Sequence, residues 1–187
     1  AARGKVLIDP SRHLVLSDSR EDQAPLERPL SEEEVATFLE SLPVEDVIDL
    51  RNRALVELLY SAGLRLGESL SLNVRDMDMT NRVVHVRRGK GGKARDIPMV
   101  GGLHKSLPRY LRVRRTLLNG PDHGALLLNT GGRRLAEYWM QGWLRRASRS
   151  LGFKVHPHLL RHSIAVDVLR RGAYIRHFQQ FLGHSDL

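Results

Sequence analysis

Two arginines, two histidines and a lysine in four short segments have the residue types needed to bind a phosphodiester and polarise it. The segments are Gly63–Glu68, Gly89–Lys93, His158–Arg161 and Leu182–Ser185. Arginine presents a planar fork of donors that matches phosphate oxygens, whereas lysine brings a mobile point charge. None of the segments contains an obvious attacking group, so the chemistry they indicate is electrostatic stabilisation of a phosphate.

The first segment places Arg65 just after Gly63, a residue expected to end a helix, and therefore at the start of the next helix. A helix N-terminus attracts anions through its free N–H groups, and an arginine there adds a bidentate contact. Glu68 lies one turn further on, where it can orient the guanidinium. The alternative is a surface Arg–Glu pair worth a few tenths of a kcal/mol, which the segment taken alone favours.

The second segment lies in a loop rich in basic residues and glycines, between two stretches with strand character. Such a hairpin tip can reach into a DNA groove, and glycines beside lysines allow close backbone approach. The loop is not a P-loop, because the GxxxxGK[ST] spacing is absent and a strand follows it. The alternative is a hairpin turn that is only solvent-exposed and binds no ligand. The predicted DNA-binding residues are Arg87, Arg88, Lys93 and Arg95, around the candidate Lys90.

The third segment opens a helix with a group of histidines. His158 and Arg161 are three residues apart and share a helical face, so both can donate to one phosphate. A metal site made of His158, His162 and His184 is one alternative, but Arg161 would place a cation beside the metal and the glutamate of an HExxH motif is absent. A structural histidine cluster is another, and His184 alone could simply cap a helix.

The patterning predicts a mainly helical domain with a small antiparallel β-sheet, an α+β fold. Ser31 and Glu34 form a capping box at the first helix, and Pro108 lies inside a later one. No internal repeat is visible. The predicted helices are near 31–39, 45–62, 66–72, the segment around Pro108, 135–151, 157–171 and 175–182, and the strands are 83–88 and 95–99.

The composition favours a nucleic-acid partner and excludes several classes of site. The 187 residues carry a net charge of +9, and the basic excess is mostly arginine. The absence of cysteine excludes disulfides, thiolate zinc sites and a cysteine nucleophile, and it suits a reducing cytoplasm. No apolar run approaches the roughly 20 residues of a membrane span, and no secretory signal is seen. We therefore expect a cytoplasmic protein that binds nucleic acid.

Taken together, the four segments resemble the tyrosine recombinase (phage-integrase-like) family, especially its Xer-type and integron-type members. The stretch from Tyr60 to Glu68 resembles the first arginine motif of the family, and Gly89–Lys93 resembles its hairpin lysine motif. His156–His162 resembles the HxxR motif, and Leu182–Ser185 the LGH motif. The order and spacing agree over residues 28–187, so the resemblance implies the tyrosine-recombinase catalytic domain fold.

The resemblance implies a role for each matching residue. Arg65 and Arg161 would clamp the scissile phosphate, and Lys90 would act as general acid toward the 5′-oxygen, with Lys93 the weaker candidate. His158 and His184 would supply hydrogen bonds and help proton transfer. Glu68 would be a supporting residue.

The family's nucleophile is a tyrosine about nine residues after the LGH histidine, which corresponds to a position near 193. The tyrosines of this sequence all precede His184, and Tyr60 matches a structural position of the family, so residues 1–187 alone are expected to be inactive. The reaction would exchange one phosphate ester for another through a 3′-phosphotyrosyl intermediate. Cationic side chains would stabilise the charge, so we expect no metal and no cofactor.

The resemblance also implies a domain arrangement and an assembly. Residues 1–27 would be the trailing edge of an upstream core-binding domain and the interdomain linker, and residues 28–187 the catalytic domain. The full-length protein would form a homo-tetramer on double-stranded DNA, whereas residues 1–187 alone would be monomeric. A non-catalytic DNA-binding regulator is the alternative function. A type IB topoisomerase fits less well, because its second histidine motif differs.

Overall fold

The computed structural model describes residues 27–87 and 94–171, which fold into helices around one core with a small sheet at one side. Three helices come first, then three strands, then three more helices. The helices are α1 (Glu32–Ser41), α2 (Val47–Tyr60), α3 (Leu66–Ser71), α4 (Leu103–Val113), α5 (Glu137–Ala147) and α6 (Pro157–Arg170), and the strands are β1 (Met77–Asp78), β2 (Val83–Val86) and β3 (Arg95–Pro98).

Local capping residues decide where the first two helices begin. At α1 the Ser31 side chain accepts from the Glu34 N–H, and Glu34 accepts from the Ser31 N–H, which confirms the predicted capping box. At α2 the cap is Asp46, whose side chain accepts from the Asp49 N–H, so the helix begins at Val47 rather than near residue 45. The inner face of α2 is wholly buried and packs against α4 and α6, which makes α2 the central helix.

The sheet is antiparallel with the order β1-β2-β3. The strand patterning predicted β2 and β3 as an antiparallel pair but missed β1. Val84 lies opposite Ile97, and both face the core. His85 and Asp96 alternate to the outer face, where the His85 Nδ1 lies 2.7 Å from an Asp96 carboxylate oxygen. The predicted hairpin tip, 88–93, lies outside the described residues.

The other predicted elements differ mainly at their ends. The helix predicted over 135–151 is shorter: α5 ends at Ala147, and a 3₁₀ turn at Arg149–Leu151 leads to Gly152, whose φ of 75° is left-handed. The helix predicted over 157–171 is α6. The one predicted over 175–182 lies outside the described residues. No helix in the described parts of the chain is long and apolar enough to cross a membrane.

A buried irregular segment, Ala125–Leu128, runs through the core without joining the sheet. Its backbone polar groups need partners, because an unpaired buried N–H or C=O is costly. The Tyr110 hydroxyl donates to the Leu126 carbonyl at 3.1 Å and accepts from the Leu128 N–H at 3.2 Å. One phenol therefore satisfies two backbone groups.

Two buried arginines complete the pairing of this segment. Arg51 donates to the Leu128 carbonyl at 2.7 Å, and its guanidinium lies 4.5 Å from the centre of the Trp139 ring. Arg114 donates to the Ala125 carbonyl and forms two contacts of 2.7 and 2.8 Å with Asp122. Arg114 is thus buried beside a carboxylate, whereas the charge of Arg51 is satisfied by neutral acceptors and by the face of the Trp139 ring, and such hydrogen bonding or pairing is the condition under which a buried charge is tolerated.

We expect Tyr110→Phe to lower the free energy of unfolding by about 1–3 kcal/mol, because it leaves the Leu128 N–H unsatisfied and removes a donor from the Leu126 carbonyl, which keeps its hydrogen bond from the Arg114 Nε. Urea unfolding of the variant and the parent chain measures this difference. Tyr138→Phe is the matched control: Tyr138 is 81% exposed, so its change should stay within about 0.5 kcal/mol. Equal stability of the two variants would contradict the structural role of the Tyr110 hydroxyl.

Candidate functional site

The turn between α2 and α3 forms the floor of the candidate site. Gly63 has a φ of 58°, a left-handed conformation that a glycine adopts without a steric penalty. The chain then enters α3 with Arg65 as its N-cap residue, in an extended conformation. The Gly63 carbonyl accepts a hydrogen bond from the Arg161 guanidinium, which ties this turn to α6.

The N-terminus of α6 delivers Arg161 to this turn. The His156 Nδ1 accepts from the Leu159 N–H at 3.2 Å, and Pro157 occupies the first helical position. Since Nδ1 accepts, neutral His156 carries its proton on Nε2, which lies 2.6 Å from a Glu27 carboxylate oxygen. One turn into α6, Arg161 is 7% exposed.

Glu68 contacts both the backbone and the side chain of Arg65. Its Oε2 accepts from the Arg65 backbone N–H at 2.9 Å, which caps α3. Its Oε1 lies 3.4 Å from the Arg65 Nη1. The predicted orientation of Arg65 by Glu68 is therefore present, although the side-chain contact is long for a charged hydrogen bond.

A third arginine binds the same carboxylate. The Arg95 Nη1 donates to the Glu68 Oε1 at 3.0 Å, and its Nη2 donates to Oε2 at 2.9 Å. This is a bidentate pair across 27 residues of sequence, between the first residue of β3 and the middle of α3. The structure therefore brings together four of the predicted site residues: Arg65, Glu68, Arg95 and Arg161.

The electrostatics of Arg161 report this convergence. Burial lowers its pKa, and the nearby cations of Arg65 and Arg95 lower it further, whereas Glu68 opposes them, so that the pKa falls to about 10. Arg161 stays charged at neutral pH. A bound anion would relieve the desolvation and the repulsion together.

Glu68 shows the opposite balance. Burial raises the pKa of its carboxyl, but the hydrogen bonds from Arg95 and from the Arg65 backbone, with the charges of both arginines, hold the pKa below its ordinary value of 4.5. The carboxylate is therefore ionised at neutral pH and holds the arginines together.

Of the remaining predicted site residues, the structure describes His158 and Arg87. His158 is exposed at the start of α6, and Arg87 pairs with the buried Asp76 at 2.5 Å from the end of β2. Four others lie outside the described residues: Arg88, Lys90, Lys93 and His184.

The histidines of the third motif separate into different environments. His156 caps α6, His158 is exposed, and His162 is half-buried, with a pKa lowered by burial. Among the described residues, no three histidine, aspartate or glutamate side chains come close enough to hold a metal ion. The third ligand of the alternative metal site, His184, lies outside those residues.

Sequence reasoning missed the inward direction of Arg95, although the signal was present. In a strand, alternate side chains face the same side, so Arg95 shares the face of the buried Ile97. It also missed the Gly63 carbonyl as a partner of Arg161. The hydroxyl of Tyr60 donates to the buried Asp167 at 3.0 Å, and burial with this bond raises its pKa, in keeping with a structural role.

Known sequences match most of this chain. A model described as the phage integrase family matches residues 28–187. A tyrosine recombinase XerC of Pseudomonas aeruginosa (strain LESB58) is 37% identical over 163 residues, which cover 87% of this chain and 53% of that protein. A tyrosine recombinase XerC of Alcanivorax borkumensis is 41% identical over 140 residues, 74% of this chain and 45% of the relative. The chain spans about half the length of these curated relatives.

Solved structures match the fold. The crystal structure of XerA recombinase aligns with a TM-score of 0.75 and 34% identity over 85% of this chain and 57% of that one. XerH site-specific recombinase, in a post-cleavage complex with palindromic difH substrate, aligns with a TM-score of 0.71 and 27% identity over 84% and 46% of the two chains. The predicted α+β fold of the tyrosine-recombinase catalytic domain is confirmed.

The pairing of Glu68 predicts a specific pH dependence of stability. Because its folded pKa lies below 4.5, the carboxylate stabilises the fold fully above that pH, and this contribution is lost as the pH falls through the folded pKa. We expect Glu68→Gln to be less stable than the parent at pH 7, and the gap to narrow between pH 5 and pH 3, measured by urea unfolding.

The control is Glu33→Gln, which alters an exposed carboxylate in the first turn of α1. Its stability curve should run nearly parallel to that of the parent over the same range. A gap for Glu68→Gln that stays constant down to pH 3 would show that the carboxylate is not held by the arginines.

Proposed function

Because the chain belongs to the phage integrase family, whose model matches residues 28–187, we propose that it is the catalytic domain of a site-specific DNA recombinase of the Xer type. The substrate is one phosphodiester of double-stranded DNA. The products are a 3′-phosphotyrosyl linkage and a free 5′-hydroxyl, which later attacks to rejoin the strands.

One observation carries the proposal: Arg65 and Arg161 converge from different helices on one turn. Arg161 is fixed by the Gly63 carbonyl, and Arg65 starts α3 two residues later. Burial lowers the pKa of Arg161, and the repulsion between these two cations lowers it further. A phosphate oxyanion between the two arginines would remove this repulsion. Negative charge builds up on the phosphate oxygens in the transition state of substitution, so the two arginines would stabilise that state.

The reaction keeps the number of phosphate esters constant. A tyrosine phenol loses its proton and attacks phosphorus, while the bond from phosphorus to the 5′-oxygen breaks and that oxygen takes up a proton. Arg65 and Arg161 hold the nonbridging oxygens, assisted by His158 and His184, and Lys90 donates the proton to the leaving oxygen. The attacking tyrosine is expected near position 193 of the whole protein.

The basic residues around this site are assigned to the DNA backbone. Arg87, Arg88 and Lys93 flank or belong to the hairpin tip, where they can contact phosphates beside the reacting one. We propose a homo-tetramer on DNA for the whole protein, with residues 1–27 joining the catalytic domain to an upstream DNA-binding domain. Because such a protein acts on DNA, we propose that it is located in the cytoplasm.

The role of Arg161 is tested by covalent trapping with the complete gene product. The substrate is a nicked duplex carrying a site selected by that protein from a random DNA library. The parent should form a protein–DNA adduct, and Arg161→Ala should reduce its rate by about 10²-fold or more, since one stabilising donor contributes about that much. Arg161→Lys should retain more activity than Arg161→Ala.

The matched control is Arg171→Ala, at the end of the same helix, where Arg171 forms an exposed pair with Glu32. It should trap DNA at the parental rate. Normal trapping by Arg161→Ala would refute the phosphate-clamp role, and the absence of any adduct with the parent protein would refute the recombinase proposal itself.

The chemistry also predicts independence from metal ions. Guanidinium and ammonium groups supply the positive charge that metals supply in other phosphoryl-transfer enzymes. We expect the trapping rate of the complete protein to be unchanged in EDTA. A rate that collapses in EDTA and returns with magnesium would contradict this mechanism.

A further inference from the structure

Glu68 contacts two arginines, and its contacts with Arg95 are shorter than its side-chain contact with Arg65. Both oxygens of its carboxylate accept from Arg95, at 3.0 and 2.9 Å, whereas the nearest side-chain nitrogen of Arg65 is 3.4 Å away. The closer partner is also the more buried one: the Arg95 side chain is 11% exposed and the Arg65 side chain 29%. Arg95 is therefore the principal counter-charge of Glu68.

This division matters because a buried carboxylate must be paired. The Glu68 side chain is 7% exposed, and a buried charge that loses its partner is strongly destabilising. If Arg95 were absent, the nearest remaining guanidinium would be that of Arg65. A tight pair with Glu68 would then occupy the donors that Arg65 needs for a phosphate.

We propose that Arg95 is a positioning residue: by pairing with Glu68, it keeps the Arg65 guanidinium available for a DNA phosphate. The proposal rests on the proposed function, since it assumes that Arg65 contacts the backbone. It replaces the expectation that Arg95 itself contacts DNA. Arg95 faces inward beside Ile97, and both of its terminal nitrogens donate to Glu68.

The two roles predict different effects of a second change at Glu68. If Arg95 positions Arg65, then Glu68→Gln should suppress the defect of Arg95→Ala, because a neutral side chain no longer captures Arg65. If Arg95 binds a phosphate directly, removing the Glu68 charge cannot replace the lost contact. The sign of the interaction between the two substitutions therefore decides between the roles.

The experiment measures binding of this chain to a 30-base-pair duplex of mixed sequence by fluorescence anisotropy over a range of salt concentrations. Each lost phosphate contact makes the slope of log K against log salt shallower by about 0.9. We expect Arg65→Ala and Arg95→Ala each to lose about that amount. The double variant Arg95→Ala/Glu68→Gln should return to the slope of the parent, and Arg95→Lys should recover part of it.

Two comparisons keep the test decisive. Adding Arg95→Ala to Arg65→Ala should produce no further loss of slope, because Arg95 acts through Arg65. If Arg95→Ala alone fails to fold, the double variant is compared with Glu68→Gln, a pair that has no buried carboxylate; equal slopes support the proposal. Arg171→Ala controls for the removal of a paired arginine elsewhere.

A slope that is shallower by about 0.9 in every variant lacking Arg95, including those with Glu68→Gln, would overturn the proposal and make Arg95 a direct DNA contact. A parental slope in Arg95→Ala alone would also overturn it. A flat salt response of the parent chain would instead contradict the proposed DNA-binding function. The two failures are therefore distinguishable.

Discussion

Two guanidinium groups contact one buried carboxylate, that of Glu68, and its charge also acts on a third guanidinium, that of Arg161. The convergence of these three arginines depends on that anion. Glu68 accepts from Arg95 and from the Arg65 backbone, and its charge opposes the repulsion felt by Arg161. Without this anion, three like charges would have to be held together by packing alone. Like charges concentrated at one place favour a ligand of opposite charge, which is the physical basis of the proposed phosphate site.

Each of the three arginines reaches the site from a different element. α2 is followed by a left-handed glycine, Gly63, so the chain can turn into α3 and place Arg65 at its start. α6 packs on α2 and brings Arg161 to the same turn. β3 contributes Arg95 from the base of the hairpin. The central position of α2 explains why residues distant in sequence converge here.

Local patterns predicted the elements well, because their causes lie within a few residues. The capping box of Ser31 and Glu34, the helix end at Gly63 and the alternation of β2 and β3 could all be read from neighbouring residues. The ends that were misplaced have local causes too: Asp46, not an earlier residue, accepts the N–H that starts α2. The family resemblance suggested roles for the residues that composition and spacing left undecided.

Pairings between distant segments could not be predicted in the same way. Nothing near Arg95 in sequence indicates that its partner is Glu68, and nothing near Arg51 indicates the carbonyl of Leu128. These partners are set by which backbone and side-chain oxygens become buried, and burial is known only once the chain has folded. Several arginines therefore form buried structural contacts, which the net charge of +9 does not reveal.

The fork between Arg95 and Glu68 also limits how this domain can be recombined with its relatives. The hairpin looks like an exchangeable module, because it is short and its two ends are adjacent strands. The first residue of its second strand, Arg95, is however the counter-ion of Glu68 in α3. A chimaera that imports a hairpin without an arginine at that place would leave the buried Glu68 carboxylate without its principal counter-charge, so the acid and the hairpin must be transplanted together.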